Sequence, residues 1–290
     1  MGEIINPIQV GLCGWGDHDL YPPHTKAKDK LAVYAGHFPV VEVDTTFYAI
    51  APRARMERWS QETPASFRFV VKAYQELTGH GRIKGAPVRT WQKMVQETKD
   101  SVAPLVEAGK LQMLLFQFPP WFDCVQKHVK YIRRIREAFY SYPVAIEFRH
   151  QSWYQPGMME RTLDFLRKEE LIHTICDEPQ AGEGSIPPVI EATHPQAALI
   201  RFHGRNMKGW KESGRTNWRD VRYAYCYSDT ELDKWARHIQ TLSRKVGQIT
   251  VLFNNNSEGD AAKNARQMIR KLNLDFKGLS SRQLTFFDEI

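Results

Sequence analysis

Glu42 and Asp44 end the apolar run Val40-Val41-Glu42-Val43-Asp44, and their two-residue spacing sends both carboxylates to one side of an extended chain. The same spacing relates Glu147 to Arg149, and Arg201 to His203 and Arg205, while Lys72 and Gln117 each close another apolar run. Charges that point into a protein must be paired or functional. A buried carboxylate left alone costs several kcal/mol, so Glu42 or Glu147 requires a partner such as Lys72, Arg149 or Arg201. His203 lies between two arginines in sequence and should resist protonation, leaving a neutral imidazole able to take a proton. Glu42, Glu147, His203 and Lys72 therefore form a candidate acid–base set. Arg149, Arg201 and Arg205 could hold a phosphate or carboxylate through forked hydrogen bonds. Asn254 and Asn255 could orient a hydroxyl or carbonyl. Hydrolysis or elimination at an anionic substrate suits this set.

The elements that must position these groups recur along the whole chain. Ile8 to Cys13, Val40 to Asp44, Phe67 to Lys72, Leu111 to Gln117, Val144 to Glu147, Ile172 to Asp177, Ala197 to His203 and Gln248 to Asn254 are short apolar runs, most ending in a polar residue. Such runs, separated by loops and helix-period stretches, read as parallel strands buried on both faces. Eight of them predict a single (β/α)8 TIM barrel over residues 1–273 with a tail at 274–290, the strand ends converging on one mouth. Helices are expected at Arg53 to Gln61, Val88 to Glu107 with Pro104 ending or kinking it, Val125 to Tyr140, Met158 to Glu170 and Asp260 to Leu272. Ser228-Asp229-Thr230-Glu231 is a capping-box signature for a helix reaching about Val246. Between strands 6 and 7, Glu178 to Pro195 holds four prolines and two glycines, so this crossover should be irregular.

Composition narrows the classes. A chain of 290 residues, 42% hydrophobic and 25% charged, fits a soluble globular domain of barrel size. No apolar run approaches the roughly 20 residues of a spanning helix, and Met1 to Gln9 lacks signal-peptide character, so a cytoplasmic protein with no membrane partner is expected. The four scattered cysteines form no C-x-x-C pair, which argues against a zinc ribbon or disulfide framework. Of the net charge of +7, the segment Arg201 to Arg222 carries +5, from seven basic and two acidic residues. That clustering favours an anionic small molecule or nucleic acid as partner.

Gly11-x-x-Gly14-Trp15, Val41-Glu42-Val43-Asp44-Thr45-Thr46-Phe47-Tyr48, Phe67-x-Phe69-x-x-Lys72, Leu115-Phe116-Gln117-Phe118-Pro119-Pro120, Glu147-Phe148-Arg149-His150-x-Ser152-Trp153, Arg201-Phe202-His203-Gly204-Arg205 and Phe253-Asn254-Asn255 occur in this order. Together they resemble the DUF72 family of bacterial and archaeal proteins over roughly residues 8 to 270. The resemblance implies a TIM barrel and leaves the chemistry open. Two departures from the family pattern are Asp44, where Asn is expected, and Thr78-Gly79-His80 in place of Thr-His.

No cofactor fingerprint is present. A divalent metal on Glu42, Asp44, Glu147, Asp177, His150 and His203 is a weaker reading, since no spacing concentrates these ligands. Phe47, Phe69, Phe116 and Phe148 are expected in the core, whereas Trp15, Tyr48, Trp121, Trp153, Trp210 and Trp218 fall in loops at the mouth and could stack a base or sugar. The tail Gln283-Leu284-Thr285-Phe286-Phe287 is similar to the peptide by which bacterial proteins dock on the sliding clamp, a possible partner alongside docking on its own barrel. The reading is an acid–base enzyme, hydrolase or lyase, with Glu42, Glu147, His203 and Lys72 catalytic. Arg149, Arg201, Arg205, Trp15, Tyr48, Gln117, Trp153, Asn254 and Asn255 would bind substrate. A clamp-linked nuclease or lyase and a noncatalytic anion- or nucleic-acid-binding module are the alternatives.

Overall fold

The computed structural model describes residues 7–81, 88–211, 221–256 and 259–281. Eight strands close in chain order into a parallel barrel: β1 (Ile8–Cys13), β2 (Val40–Val43), β3 (Arg68–Lys72), β4 (Leu111–Gln117), β5 (Val144–Glu147), β6 (Ile172–Asp177), β7 (Ala198–Phe202) and β8 (Ile249–Phe253). Pairing of β1 with β8, from Ile8 opposite Ile249 to Leu12 opposite Phe253, completes the ring. The described helices are α1 (Lys30–Tyr34), α2 (Arg53–Gln61), α3 (Trp91–Glu107), α4 (Gln126–Ala138), α5 (Met159–Lys168), α6 (Met207–Lys211), α7 (Asp229–Leu242) and α8 (Asp260–Lys271).

Alternation along the strands divides the core in two. Val40, Val70, Met113, Leu115, Leu199 and Leu252 pack together inside the barrel. Val41, Phe69, Phe116, Ile200 and Phe253 face outward and meet Met56, Leu105, Ile132, Leu163, Ile239 and Met268 from the helices. Two residues beyond an inward apolar position comes the next inward one, so Val40 is followed by Glu42, Val70 by Lys72, Leu115 by Gln117, Ala145 by Glu147, and Leu199 by Arg201. Polar side chains thus replace apolar ones at the top of the interior. Gly11 permits the tight approach of β1 to β2, because a Cβ there would lie 2.0 Å from the Val40 carbonyl oxygen.

Local chemistry explains where helices start and stop. Ser228 caps α7, its Oγ accepting from the Glu231 amide while the Glu231 carboxylate accepts from the Ser228 amide. Thr90 caps α3, which begins three residues later than the periodicity predicts. Pro104 does not end α3, which continues to Glu107; a proline in the last turn removes few helix hydrogen bonds. Residues 178–197 cross from β6 to β7 without a helix, as their prolines require. The short α6 falls inside the basic segment Arg201 to Arg222. Among the described residues, no helix is long and apolar enough to cross a membrane. The tail peptide at 283–287, together with Trp218, Arg215 and Arg219, lies outside the described residues.

Candidate functional site

The strand ends bring Glu42, Glu147, Arg149, Arg201 and His203 into one buried network, with none more than 3% exposed. Arg201, from β7, spans the barrel. Its Nη2 donates to Glu42 Oε1 at 2.7 Å, its Nη1 to Glu147 Oε2 at 2.5 Å, and Nη1 also approaches Gln117 Oε1 at 3.3 Å. Arg149 donates from Nε to Glu147 Oε1 at 2.7 Å and from Nη1 to Glu178 at the head of the irregular crossover. Glu178 in turn accepts the Ile186 amide at 2.8 Å, fixing the path of that crossover.

Two guanidinium groups thus serve three carboxylates, and the surplus shows in the protonation tendencies. Burial alone would raise the Glu147 carboxyl, but Arg149, Arg201 and the His203 hydrogen bond outweigh it and hold Glu147 well below the usual range. For Glu178 burial outweighs Arg149, the Ile186 amide and the more distant Arg222 and pushes it up to about 7. His203 is driven well below its ordinary value by burial and by both arginines, and so stays neutral. Arg149 Nη2 sits 2.9 Å from His203 Nε2 and the Asn254 side-chain nitrogen 3.1 Å from His203 Nδ1, so donors face both ring nitrogens, while Glu147 Oε1 lies 3.5 Å from Nε2.

Above this network opens a cavity of about 850 Å³ at the strand C-termini. Glu42, Lys72, Gln117, Arg149, Arg201, Asn254 and Tyr48 line it, among the residues singled out by sequence. Lys72 makes no ion pair among the described residues; its Nζ rests 4.6 Å from the centroid of Phe47. Burial and the nearby Arg201 lower its pKa. Phe47 is therefore a cavity residue rather than the core residue expected. It packs edge-on against Tyr48 and against His80, which meets Trp121, forming an aromatic wall.

The structure places Glu147 and His203 behind the cavity lining, where they hold the guanidinium groups. It places four other site candidates outside the cavity. Trp153 is 1% exposed, stacked on Phe148 with its Nε1 donating to the Phe122 carbonyl, because the β5 loop folds it into the outer core. Trp15 packs edge-on against Trp59. Asn255 is buried and donates to the Tyr225 carbonyl and to Asn264. Arg205 is held by Asp177 and Glu231, both supplied by neighbouring elements. The forks of Arg149 and Arg201 are likewise occupied by Glu42, Glu147 and Glu178, which limits what they can offer a ligand.

Several cavity residues stand outside the catalytic and substrate-binding sets named from the sequence. Asp44 lines it, with its carboxyl raised by burial and by Glu42. His80 lines it too, lowered to about 4 by burial, Lys72 and Arg149. Both sit at the departures from the family pattern; Asp44 is also marked by its spacing from Glu42, whereas for His80 the departure is the sequence signal. Arg222 and Tyr223 arrive from the far end of the basic segment, Arg222 lying 3.7 Å over the Trp210 ring. Cys13 is also present, but burial and Glu42 raise its thiol well above the normal value, so a thiolate is disfavoured.

The metal reading gains little from the geometry. Among the described residues, the ligand atoms of Glu147, Cys176 and His203 lie within 4.8 Å of one another. Both Glu147 oxygens already accept from arginine, and Cys176 is raised by burial and by Glu147, a set better suited to guanidinium than to a metal cation. His150 bonds Ser152, and Asp177 bonds Arg205, away from this group.

A closed parallel barrel with a polar network and cavity at its strand C-termini defines the class: a (β/α)8 barrel with one candidate site at the usual face. The profile described as protein of unknown function DUF72 matches residues 9–285, and the chain belongs to that family. It is 49% identical over 282 residues to the UPF0759 protein YunF of Bacillus subtilis, covering 97% of this chain and all of that one. The crystal structure of a DUF72 family protein from Enterococcus faecalis superposes with a TM-score of 0.88 at 36% identity, covering 96% of this chain and 100% of the other. One from Thermotoga maritima gives 0.79 at 31% identity, covering 93% and 100%.

Proposed function

We propose that the chain is an acid–base enzyme, a hydrolase or lyase, acting on a small anionic substrate at the barrel mouth. The observation that carries this reading is the meeting of Glu42, Asp44 and Lys72 in one cavity of about 850 Å³. That volume falls within the range of small-molecule pockets, which favours a metabolite over a nucleic-acid duplex. Glu42 and Asp44 lie close enough for their charges to oppose each other, so one can hold a proton while the other accepts one. Lys72 supplies a desolvated ammonium whose proton is more easily given up than that of a surface lysine.

The arginines divide into two roles on this reading. Arg149 and Arg201 are occupied by carboxylates and act as a positive floor, Arg201 bridging Glu42 and Glu147 and both holding Glu147 ionised. Glu147 and His203 become positioning residues, holding the guanidinium groups rather than touching substrate. The anionic group of the substrate would then meet Arg222 and Lys72, with its carbon frame against Phe47, Tyr48 and Trp121.

Incubation with a panel of phosphorylated and carboxylated metabolites, followed by mass spectrometry, tests the proposal. Wild type should deplete at least one compound. Glu42→Gln and Asp44→Asn should lower that rate by about 10²–10⁴-fold, while exposed Lys130→Ala should not. Equal turnover in the two carboxylate variants and wild type would refute the acid–base assignment.

A further inference from the structure

The geometry points to Lys72 as the amine of an imine-forming site that takes the aldehyde or ketone carbonyl of an anionic substrate. This inference rests on the reading of the mouth cavity as a substrate site and names the class of substrate it would accept. A lysine reacts with a carbonyl only as the neutral amine, and surface lysines that are ammonium at neutral pH react poorly. A nucleophilic lysine is therefore recognised by a desolvated setting, a neighbouring cation and no carboxylate bound to it. Lys72 meets each condition. It closes β3 inside the cavity, its Nζ lies against the face of Phe47, and it forms no ion pair among the described residues. Arg201 is close enough to lower its pKa. The other cavity-lining cations differ: Arg149 and Arg201 are locked to carboxylates, and guanidinium is not a nucleophile at neutral pH.

Proton donors and acceptors for such a step line the same cavity. The Lys72 nitrogen pair attacks the carbonyl carbon while the C=O π pair moves to oxygen, which takes a proton from Asp44. The nitrogen loses a proton to the Glu42 side of the cavity, giving a neutral carbinolamine. The proton taken up at Glu42 then passes to the hydroxyl, which leaves as water as the nitrogen pair forms C=N. One amine, one carbonyl and the Asp44 proton give one protonated imine and one water, with no oxidant or reductant. The Asp44 carboxyl, raised by burial and by Glu42, is suited to hold the proton it donates.

Reductive trapping on the intact protein decides the matter. The full chain is mixed with a limiting amount of glyoxylate or pyridoxal 5′-phosphate, a small and a large anionic aldehyde, in the presence of cyanoborohydride. Peptide mass mapping then locates the secondary amine. Lys72 should be modified at least about ten times faster than exposed Lys130, since its lowered pKa leaves more of the free amine that attacks the carbonyl. In Lys72→Arg, which keeps the charge, the dominant adduct should vanish without transfer to another cavity residue. Modification by both probes confined to surface lysines, with Lys72 intact in wild type, would overturn the inference. Loss of metabolite turnover in Lys72→Arg without any Lys72 adduct would also overturn it, yet leave the acid–base function standing. A Lys72 adduct in a protein that turns over no compound of the metabolite panel would uphold the imine site and count against the wider enzymatic reading.

Discussion

Replacing Arg201 with methionine removes the cation that bridges Glu42 and Glu147 and leaves Glu42 buried with, among the described residues, the Cys13 thiol as its side-chain hydrogen-bond partner. Breaking one side of a buried ion network typically costs about 3–5 kcal/mol. Arg201→Met should therefore show a loss of that order in urea unfolding, and a loss below about 1 kcal/mol would mean the network is wetter than its geometry implies. The neighbouring carboxyls give opposite pH signatures. Glu147 is held below its unfolded value, so its contribution is present above the unfolded pKa and is lost as acid protonates it. Glu178 is raised to about 7, so its contribution is present below the unfolded carboxylate pKa and is lost as pH climbs through 7. Glu178→Gln should thus gain in melting temperature relative to wild type between pH 5 and pH 8. Parallel curves across that window would show that Glu178 is ionised throughout. The partners themselves were legible: inward charges at strand ends had to pair, and Glu42 and Glu147 do pair with Arg201. Which face of each arginine would remain open was not, because the contribution of Glu178 depends on the fold of the crossover.

At the level of elements, period and punctuation carried most of the information. Apolar runs located all eight strands to within a residue at either end, because parallel strands buried on both faces need no polar alternation. Aromatic residues in loops were harder to place. Trp153 looks the same in sequence as Trp121, yet one is stacked in the core and the other is 63% exposed at the mouth. Loop conformation separates them, and local pattern does not encode it. Two substitutions rank the local devices. Gly11→Ala forces a Cβ onto the Val40 carbonyl in the middle of the β1–β2 pairing, and overpacking of this kind costs about 3 kcal/mol. Ser228→Ala removes a helix cap and should cost about 1 kcal/mol. Denaturant midpoints for the pair should fall in that order, and the reverse order would indicate that β1 can move away from β2 at little cost.

The whole molecule brings residues from positions 13 to 259 around one mouth, since barrel closure places strand ends together whatever their separation in sequence. Charge at that scale is more balanced than the basic segment Arg201 to Arg222 suggests. Arg201 neutralises carboxylates in the floor, Arg205 is paired with Asp177 and Glu231, and Arg222 lines the cavity beside Trp210. The proposed anion position lies between Lys72 and Arg222 in the cavity. Anomalous diffraction from crystals soaked in selenate tests this claim most directly. The account predicts a selenium peak inside the cavity, within hydrogen-bond reach of Lys72 or Arg222, that disappears in Arg222→Ala. Selenium bound only outside the cavity, with the mouth empty in the wild-type protein, would contradict it.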